Sequence, residues 1–229
     1  PMKKCFAMIP IACLMMLALC VPATAQGFRE DFESLSDWKP LTFPKISRHS
    51  VYTIGNAGKE RFLIATADAS ASGIVHARTF NIYQTPVIRW RWKVSNVYAK
   101  GDEKKKSGDD YPLRIYVVFQ YDPNHAGALE KAQYGAAKLI YGEYPPHSSL
   151  NYIWANKEYP QRILPNPYTA RAQMVLLQKG PARAGQALED HRELVAAEPR
   201  HDVARAHRAP DPVRDVLQQS VAGVVAERV

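Results

Sequence analysis

Cysteine is confined to the first 20 residues of the 229-residue sequence, at Cys5, Cys13 and Cys20. The rest of the chain therefore has no disulfide, no thiol nucleophile and no thiolate ligand for a metal ion. Without disulfides a domain depends on its hydrophobic core, and an apolar content of 46% is ordinary for a globular protein. The composition predicts a globular domain stabilised by packing.

The sequence also lacks the short motifs that bind phosphates, dinucleotides or zinc. Ser148 and Ser149 follow His147 without the Gly-x-Ser-x-Gly elbow of a serine hydrolase. The sequence predicts no catalytic residue, no metal ligand and no cofactor, and calcium has no motif to support it. The histidines without metal-ligand spacing are His49, His76, His125, His147, His191, His201 and His207.

Carboxylate pairs for glycoside hydrolysis are scarce as well. Glycosidases hold two carboxyl groups about 5 to 9.5 Å apart. The local pairs are Glu30 with Glu33 and Asp109 with Asp110. Because neighbouring residues of a strand point to opposite faces, Asp109 and Asp110 do not form such a pair on a strand. Binding is therefore favoured over catalysis.

A long apolar run occurs near the N-terminus, where Lys3 and Lys4 precede Cys5–Val21 and the small residues Ala23-Thr24-Ala25 follow. This order is typical of a secretory signal peptide cleaved after Ala25. It predicts a periplasmic or secreted protein with no stable membrane span after cleavage. Loss of the two lysines lowers the net charge from the +8 of the whole chain.

The remaining positive charge is that of a solvated surface or of a protein attracted to anions. The partner predicted from it is a glycan or another anionic envelope component rather than nucleic acid.

The body of the chain consists of short β-branched and aromatic runs bounded by Gly, Pro, Asn and Asp, which is typical of an antiparallel β-sandwich. In Val87–Val94 apolar residues alternate with Arg89, Arg91 and Lys93, which predicts one apolar and one cationic face. Leu113–Phe119 repeats the pattern. Weaker strands are predicted at Val51–Ile54, Phe62–Thr66, Ile74–Phe80, Leu150–Ala155 and Gln173–Gln178.

Three other segments interrupt this pattern. Lys100–Asp110 is polar and predicts a solvated loop. His125–Tyr141 predicts one inserted helix, because its apolar residues share a face. After Lys179 the chain is rich in Ala and Arg, which predicts an irregular or helical tail at 186–229, with helices at Leu188–Ala197 and Val213–Val225. The apolar residues of the inserted helix are Leu129, Ala132, Ala136, Leu139 and Ile140.

Candidate binding residues come from two places in the sequence. Arg89, Arg91, Lys93 and Arg114 form a cationic ladder if their strands are neighbours, and arginines suit carboxylate, sulfate or phosphate groups. A sheet with one wet face shows the same alternation without any ligand. The adjoining acidic residues pair with these arginines or contribute to a site for a hard cation. These are Asp102, Asp109 and Asp110.

The second set is Asn151, Trp154 and Asn156, which combines amides with an aromatic plane, as sugar-binding sites do. Tryptophan in a strand is more often part of the core. Alternation also places Tyr152 and Trp154 on one face and Asn151 on the other, so that this set does not share one surface completely.

Several blocks, in this order, resemble the bacterial exported family catalogued as domain of unknown function 3047. They are Phe28–Phe32, Trp38–Lys45, Ser70–Gly73, Arg89–Val94, Gly108–Arg114, Tyr144–Asn156 and Asn166–Thr169. The resemblance extends from Phe28 to about Gly185. It implies a β-sandwich of lectin-like, jelly-roll or carbohydrate-binding-module type over residues 26–185, without an established activity.

Family members continue differently after this region, and a reading frame shifted near Gln186 is our hypothesis for the Ala/Arg-rich tail. The function predicted for the whole is non-catalytic binding of an envelope or extracellular glycan. The alternatives are a polysaccharide-acting hydrolase or lyase, which requires a cleft with facing carboxyls or an Arg/Tyr pair, and a structural protein of envelope assembly.

Overall fold

The computed structural model describes residues 27, 29–43, 46–193 and 220–228. The predicted signal peptide lies outside these residues. Within them the protein is mainly β, with eleven strands and one α-helix, α1 (Ala128–Tyr141). No helix of the described residues is long and apolar enough to cross a membrane. The strands are β1 (Trp38–Leu41), β2 (Val51–Ala57), β3 (Glu60–Thr66), β4 (Ser70–Phe80), β5 (Val87–Trp92), β6 (Arg114–Phe119), β7 (Ser148–Ala155), β8 (Ile163–Pro165), β9 (Ala172–Lys179), β10 (Leu188–Glu193) and β11 (Ser220–Arg228).

Seven strands form the main sheet in the order β1-β4-β11-β6-β7-β9-β8. Its neighbouring strands are antiparallel except β7 and β9, which run parallel. The chain between β7 and β9 passes through β8 and supplies the crossover that a parallel pair needs. Two antiparallel ribbons, β2–β3 and β5–β10, form two further sheets. The predicted mainly β fold with antiparallel sheets is confirmed.

The aromatic face of β5 packs on β7 and forms the main core. The ring centroids of Trp90 and Tyr152 are 5.2 Å apart, and those of Trp92 and Trp154 are 5.9 Å apart. Ile115, Val117 and Phe119 of β6 complete this cluster, as their alternation predicts. The arginines of β5 are exposed on its opposite face.

The opposite face of β7 and β9 forms a second, smaller core. Tyr111 and Met174 are fully buried in it together with Ile153, and Leu164 of β8 covers it. The two faces of β7 therefore bury alternate residues, so that the strand carries side chains to both cores.

The C-terminal tail contributes strands where the sequence predicts helices. β10 pairs with β5, bringing Leu188 opposite Trp92, and Leu188 joins the main core. β11 pairs with both β4 and β6. The helices predicted at Leu188–Ala197 and Val213–Val225 are therefore wrong where the structure describes them. Residues 194–219 lie outside the described part of the chain.

The predicted helix is confirmed as α1. It ends at Gly142, whose φ of 81° is readily adopted by glycine and whose N–H donates to the Lys138 carbonyl at 2.8 Å. Tyr134 turns inward, and its ring stacks on Tyr121 at a centroid distance of 3.8 Å. The apolar face of the helix points to solvent instead.

The polar stretch Lys100–Asp110 is solvated only in part, which corrects the prediction. Residues 104–107 are exposed, but Glu103 is completely buried. A Cβ at Gly101 would lie 2.1 Å from Asn156 Nδ2, so only glycine allows this close approach. The loop is thus folded down onto the end of β7.

Candidate functional site

An open cleft of about 620 Å³ lies between the N-terminal segment and β4. The pairing of β1 with β4, which brings Trp38 opposite His76, places the two walls side by side. This volume lies within the roughly 300–1,000 Å³ of small-molecule sites, but the cleft is open to solvent and its lining is mainly polar, whereas such sites are mostly apolar. The lining residues are Arg29, Glu30, Asp31, Glu33, Ser34, Asp37, His76, Ala77 and Arg78.

Glu30 is held in the cleft by three hydrogen bonds. Its Oε1 accepts the Phe32 N–H at 2.6 Å, and its Oε2 lies 3.2 Å from both Trp38 Nε1 and His76 Nε2. A carboxylate offers about four acceptor positions, so one position on Oε1 remains. Since the side chain is 23% exposed, Glu30 can accept one further hydrogen bond from a bound molecule.

His76 fixes the direction of this carboxylate. Its Nδ1 lies 3.0 Å from the Arg78 backbone nitrogen, whose N–H it accepts, so that Nε2 carries the proton donated to Glu30. The His76 ring is buried and meets Trp38 edge-on at 4.9 Å, while Trp38 stacks on Phe32 at 5.9 Å. The acceptor is therefore oriented before any ligand binds.

The cleft is acidic although the chain is basic. Among the described residues it holds four carboxylates and two arginines, and Arg29 is paired with Asp31 at 2.5 Å. Glu33 is paired with Arg61, which lies outside the lining, at 3.2 Å. Asp37 has no charged partner among the described residues. Such a site favours neutral or cationic molecules over anions.

The predicted cationic ladder does not form across neighbouring strands. β5 pairs with β10, and β6 pairs with β7 and β11, so Arg114 is not adjacent to Arg89 and Arg91. Arg91 is exposed and bound to Glu60 at 2.6 Å, and this hydrogen bond raises its pKa. Arg89 and Arg91 are therefore exposed cations on the outer face of β5.

Arg114 is instead part of a buried pair. Its Nη1 lies 3.4 Å from Asp109 Oδ1, and the side chain is 4% exposed. The guanidinium lies 4.3 Å from the centroid of the Tyr111 ring, and the Tyr111 hydroxyl donates to Asp109 at 2.7 Å. Pairing of Asp109 with an arginine, one of the predicted alternatives, is thus confirmed, and the pair fixes the start of β6.

The hard-cation site proposed from Asp102, Asp109 and Asp110 is not found. The described residues contain no group of three His, Cys, Asp or Glu side chains that would hold a metal ion. Asp102 instead lies 3.3 Å from both Lys105 and Lys157, and the backbone N–H of Lys104 is the main cause of its lowered pKa.

Asp110 carries an electrostatic cost that leads to a stability prediction. Burial first, and then the charge of Asp109, raise its pKa. The carboxylate of Asp110 therefore binds a proton more tightly in the folded protein than in the unfolded chain. As pH rises from the ordinary aspartate pKa through the raised pKa of Asp110, the stability of the folded protein falls. We expect Asp110→Asn to stabilise the protein at pH 7, by less than about 1 kcal/mol because of solvent screening, and to give no gain at pH 3. Urea unfolding at both pH values measures this, and a loss of stability at pH 7 would contradict it.

All three residues of the predicted sugar-binding set are buried. Trp154 is completely buried and donates to the Gly180 carbonyl at 3.1 Å. Asn151 is 1% exposed and faces the second core side of β7, as alternation predicts. Asn156 is buried and donates to Glu103 Oε1 and to the Asp110 carbonyl. These buried side chains therefore stabilise the fold along β7 and at its end, and none of them forms an exposed binding surface.

A Ser–His–Glu series occurs at the other end of β7. Ser148 Oγ lies 3.2 Å from His147 Nδ1, and Glu130 Oε1 lies 3.6 Å from His147 Nε2. Ser148 is 5% exposed, and Glu130 is also bound by Arg171 at 3.2 Å. The series therefore ties α1 to β7 rather than presenting a nucleophile.

Sequence reasoning missed the cleft, although Glu30 and Glu33 stand out as a local acidic pair. The signal that was available is the position of Glu30 in Phe28–Phe32, a block that supports the family resemblance. Pairing with His76, which is 46 residues away, has no local signature.

Comparison with known proteins identifies one family. The family model described as "Protein of unknown function (DUF3047)" matches residues 36–212, more than half of the chain. The match continues past Gly185, where the resemblance was expected to end. No curated protein and no solved structure is significantly similar to the chain.

Proposed function

The chain belongs to the DUF3047 family, and we propose that it is an exported, non-catalytic binding domain whose acidic cleft holds a neutral or amine-bearing glycan. The β5–β10 ribbon packs on the main sheet, and we propose that these two layers form a β-sandwich of lectin-like type. The observation that carries the proposal is the pre-oriented Glu30 carboxylate at the wall of the cleft.

The chemistry of the cleft suits a hydroxyl-rich molecule. Glu30 has one acceptor position left and Asp37 has its carboxylate available within the described structure. Hydrogen bonds to ionised acceptors are roughly twice as strong as those between neutral groups. Hydroxyl and ammonium groups both donate to carboxylates, whereas a sulfated or uronic acid glycan would be repelled by them. Charge thus selects the class of glycan.

Glu30→Gln is expected to weaken binding of the best-bound glycan by about 10- to 100-fold, because a charged acceptor is lost without a change in volume. The ligand would be found on an array of neutral, amine-bearing and sulfated glycans. Its affinity would then be measured by isothermal titration calorimetry with the full chain. Asp37→Asn is expected to act in the same direction.

Glu143→Gln is the matched control, since Glu143 is exposed beyond the end of α1 and does not line the cleft. It should leave the affinity unchanged. Binding that survives both Glu30→Gln and Asp37→Asn would place the site elsewhere. Release of shorter products from the bound glycan would support the hydrolase or lyase alternative instead, and binding to no glycan would leave the structural alternative.

A further inference from the structure

The outer face of α1 is a strip of apolar side chains without a partner in the described structure. Leu129 is 75%, Leu139 is 89% and Ile140 is 75% exposed. Ala132 and Ala136 lie between them on the same face and are also exposed. An apolar strip of this kind ordinarily packs against another element. We call these five residues the α1 stripe.

The inner face of the helix is already occupied, so the helix cannot simply turn the stripe inward. Tyr134 stacks on Tyr121, and its hydroxyl accepts from Arg171 at 2.8 Å. Glu130 is bound to the same arginine at 3.2 Å. The side of α1 that carries these contacts is fixed on the protein, and the stripe is thereby directed outward.

Four of the five stripe residues occupy mirror positions when the helix is reversed, whereas the mirror position of Ile140 is Ala128, outside the stripe. About position 134, Leu129 is the mirror position of Leu139, and Ala132 is the mirror position of Ala136. A second α1 helix, antiparallel to the first and related to it by a two-fold axis at the level of residue 134, would place Leu129 of each copy against Leu139 of the other copy. The alanines would meet at the centre and allow close approach. In a two-fold interface residue i contacts j while j contacts i, which is the property of this pattern.

Charge is compatible with the same arrangement. The stripe contains no charged residue, and at about 100° per residue Lys131 and Lys138 lie on the far side of the helix from it. Two stripes can therefore meet without bringing like charges together. A membrane-binding helix would typically carry its lysines where they flank the apolar face and reach lipid headgroups.

We propose that the α1 stripe is a self-association surface, and that two copies of this chain pair through antiparallel α1 helices, Leu129 against Leu139 of the partner. The helix of 14 residues is about 21 Å long. The paired area is therefore small beside the roughly 1,200–2,000 Å² of a standard stable interface. The dimer is accordingly weak and depends on protein concentration.

Sedimentation velocity of the full chain over a range of protein concentrations tests the pairing. A reversible monomer–dimer equilibrium is expected. Leu129→Glu and Leu139→Lys should each weaken it by at least about tenfold. An equimolar mixture of the two variants should dimerise more strongly than either alone, because the pairing places the new acid against the new base. Lys131→Glu is the matched control and should leave the equilibrium unchanged.

Folding is checked separately by thermal unfolding, which these exposed substitutions should not impair. A chain that stays monomeric at all concentrations would overturn the proposal. So would a dimer that neither substitution weakens, or a mixture of the variants that shows no recovery. Vesicles of anionic lipid that capture the native chain but not Leu139→Lys would assign the stripe to a membrane instead.

Discussion

Trp154→Ala is expected to lower the free energy of unfolding by about 3–5 kcal/mol, the range for large aromatic residues removed from a core. Trp154 is completely buried, and its ring lies 5.9 Å from that of Trp92. Its Nε1 also donates to the Gly180 carbonyl. The substitution therefore removes packing between β5 and β7 and leaves a buried carbonyl without its donor.

Two further variants separate these contributions. Trp154→Phe keeps a ring but loses the hydrogen bond, so a smaller loss of about 1–3 kcal/mol is expected. Tyr168→Ala, at a residue that is 59% exposed and whose hydroxyl donates to the Lys106 carbonyl at 2.9 Å, should cost only about 0.5–1.5 kcal/mol, the net value of one such hydrogen bond. Guanidinium unfolding of the three proteins measures the series. Near-native stability of Trp154→Ala combined with loss of glycan binding would instead support the sequence-based assignment of Trp154 to a binding site.

The elements that sequence predicts well are those with local patterns. β5 is predicted because large apolar residues alternate with cations, and the structure confirms both faces. α1 is predicted from its helical spacing, and its end at Gly142 matches the preference of glycine for positive φ. Both β5 and α1 are predictable because their patterns involve only residues that are close together in the sequence.

Strand neighbours are a different problem, because pairing partners are distant in sequence. The ladder hypothesis required β5 beside β6, but β5 pairs with β10, about 100 residues later in the chain. The Ala/Arg-rich composition predicts an irregular or helical tail, and both residue types do favour helices. Tertiary pairing with β4, β5 and β6 overrides this weak local preference.

The candidate site shows the same division. Alternation correctly separates Asn151 from Trp154, because it needs only the period of a strand. The cleft, in contrast, depends on contacts of Glu30 with Trp38 and with His76 of β4, which is 46 residues away. Residue types alone do not indicate that a carboxylate is held in one orientation by a distant imidazole.

Glu103 is the clearest case of a residue whose role is hidden by its polar surroundings. It is completely buried in a stretch that composition assigns to solvent. Its Oε1 accepts from the backbone N–H of Asn156 at 2.5 Å and from Asn156 Nδ2 at 3.0 Å. Its Oε2 accepts from the Tyr159 hydroxyl at 2.6 Å. Through these hydrogen bonds Glu103 anchors the Lys100–Asp110 loop to the segment that follows β7.

Glu103→Ala is expected to destabilise the protein by about 3 kcal/mol or more, since each buried donor left without an acceptor costs about 1–3 kcal/mol. Glu103→Gln should cost less, because the amide oxygen still accepts from one partner. Lys104→Ala is the matched control at the next residue, which is exposed and loses only a cation–π contact with Tyr159 at 5.1 Å, so it should cost no more than about 1 kcal/mol. Urea unfolding gives the stabilities, and amide hydrogen exchange at Asn156 reports the contact directly. If Glu103→Ala and Lys104→Ala unfold at the same urea concentration, the loop contributes nothing to the fold and its buried carboxylate needs another explanation.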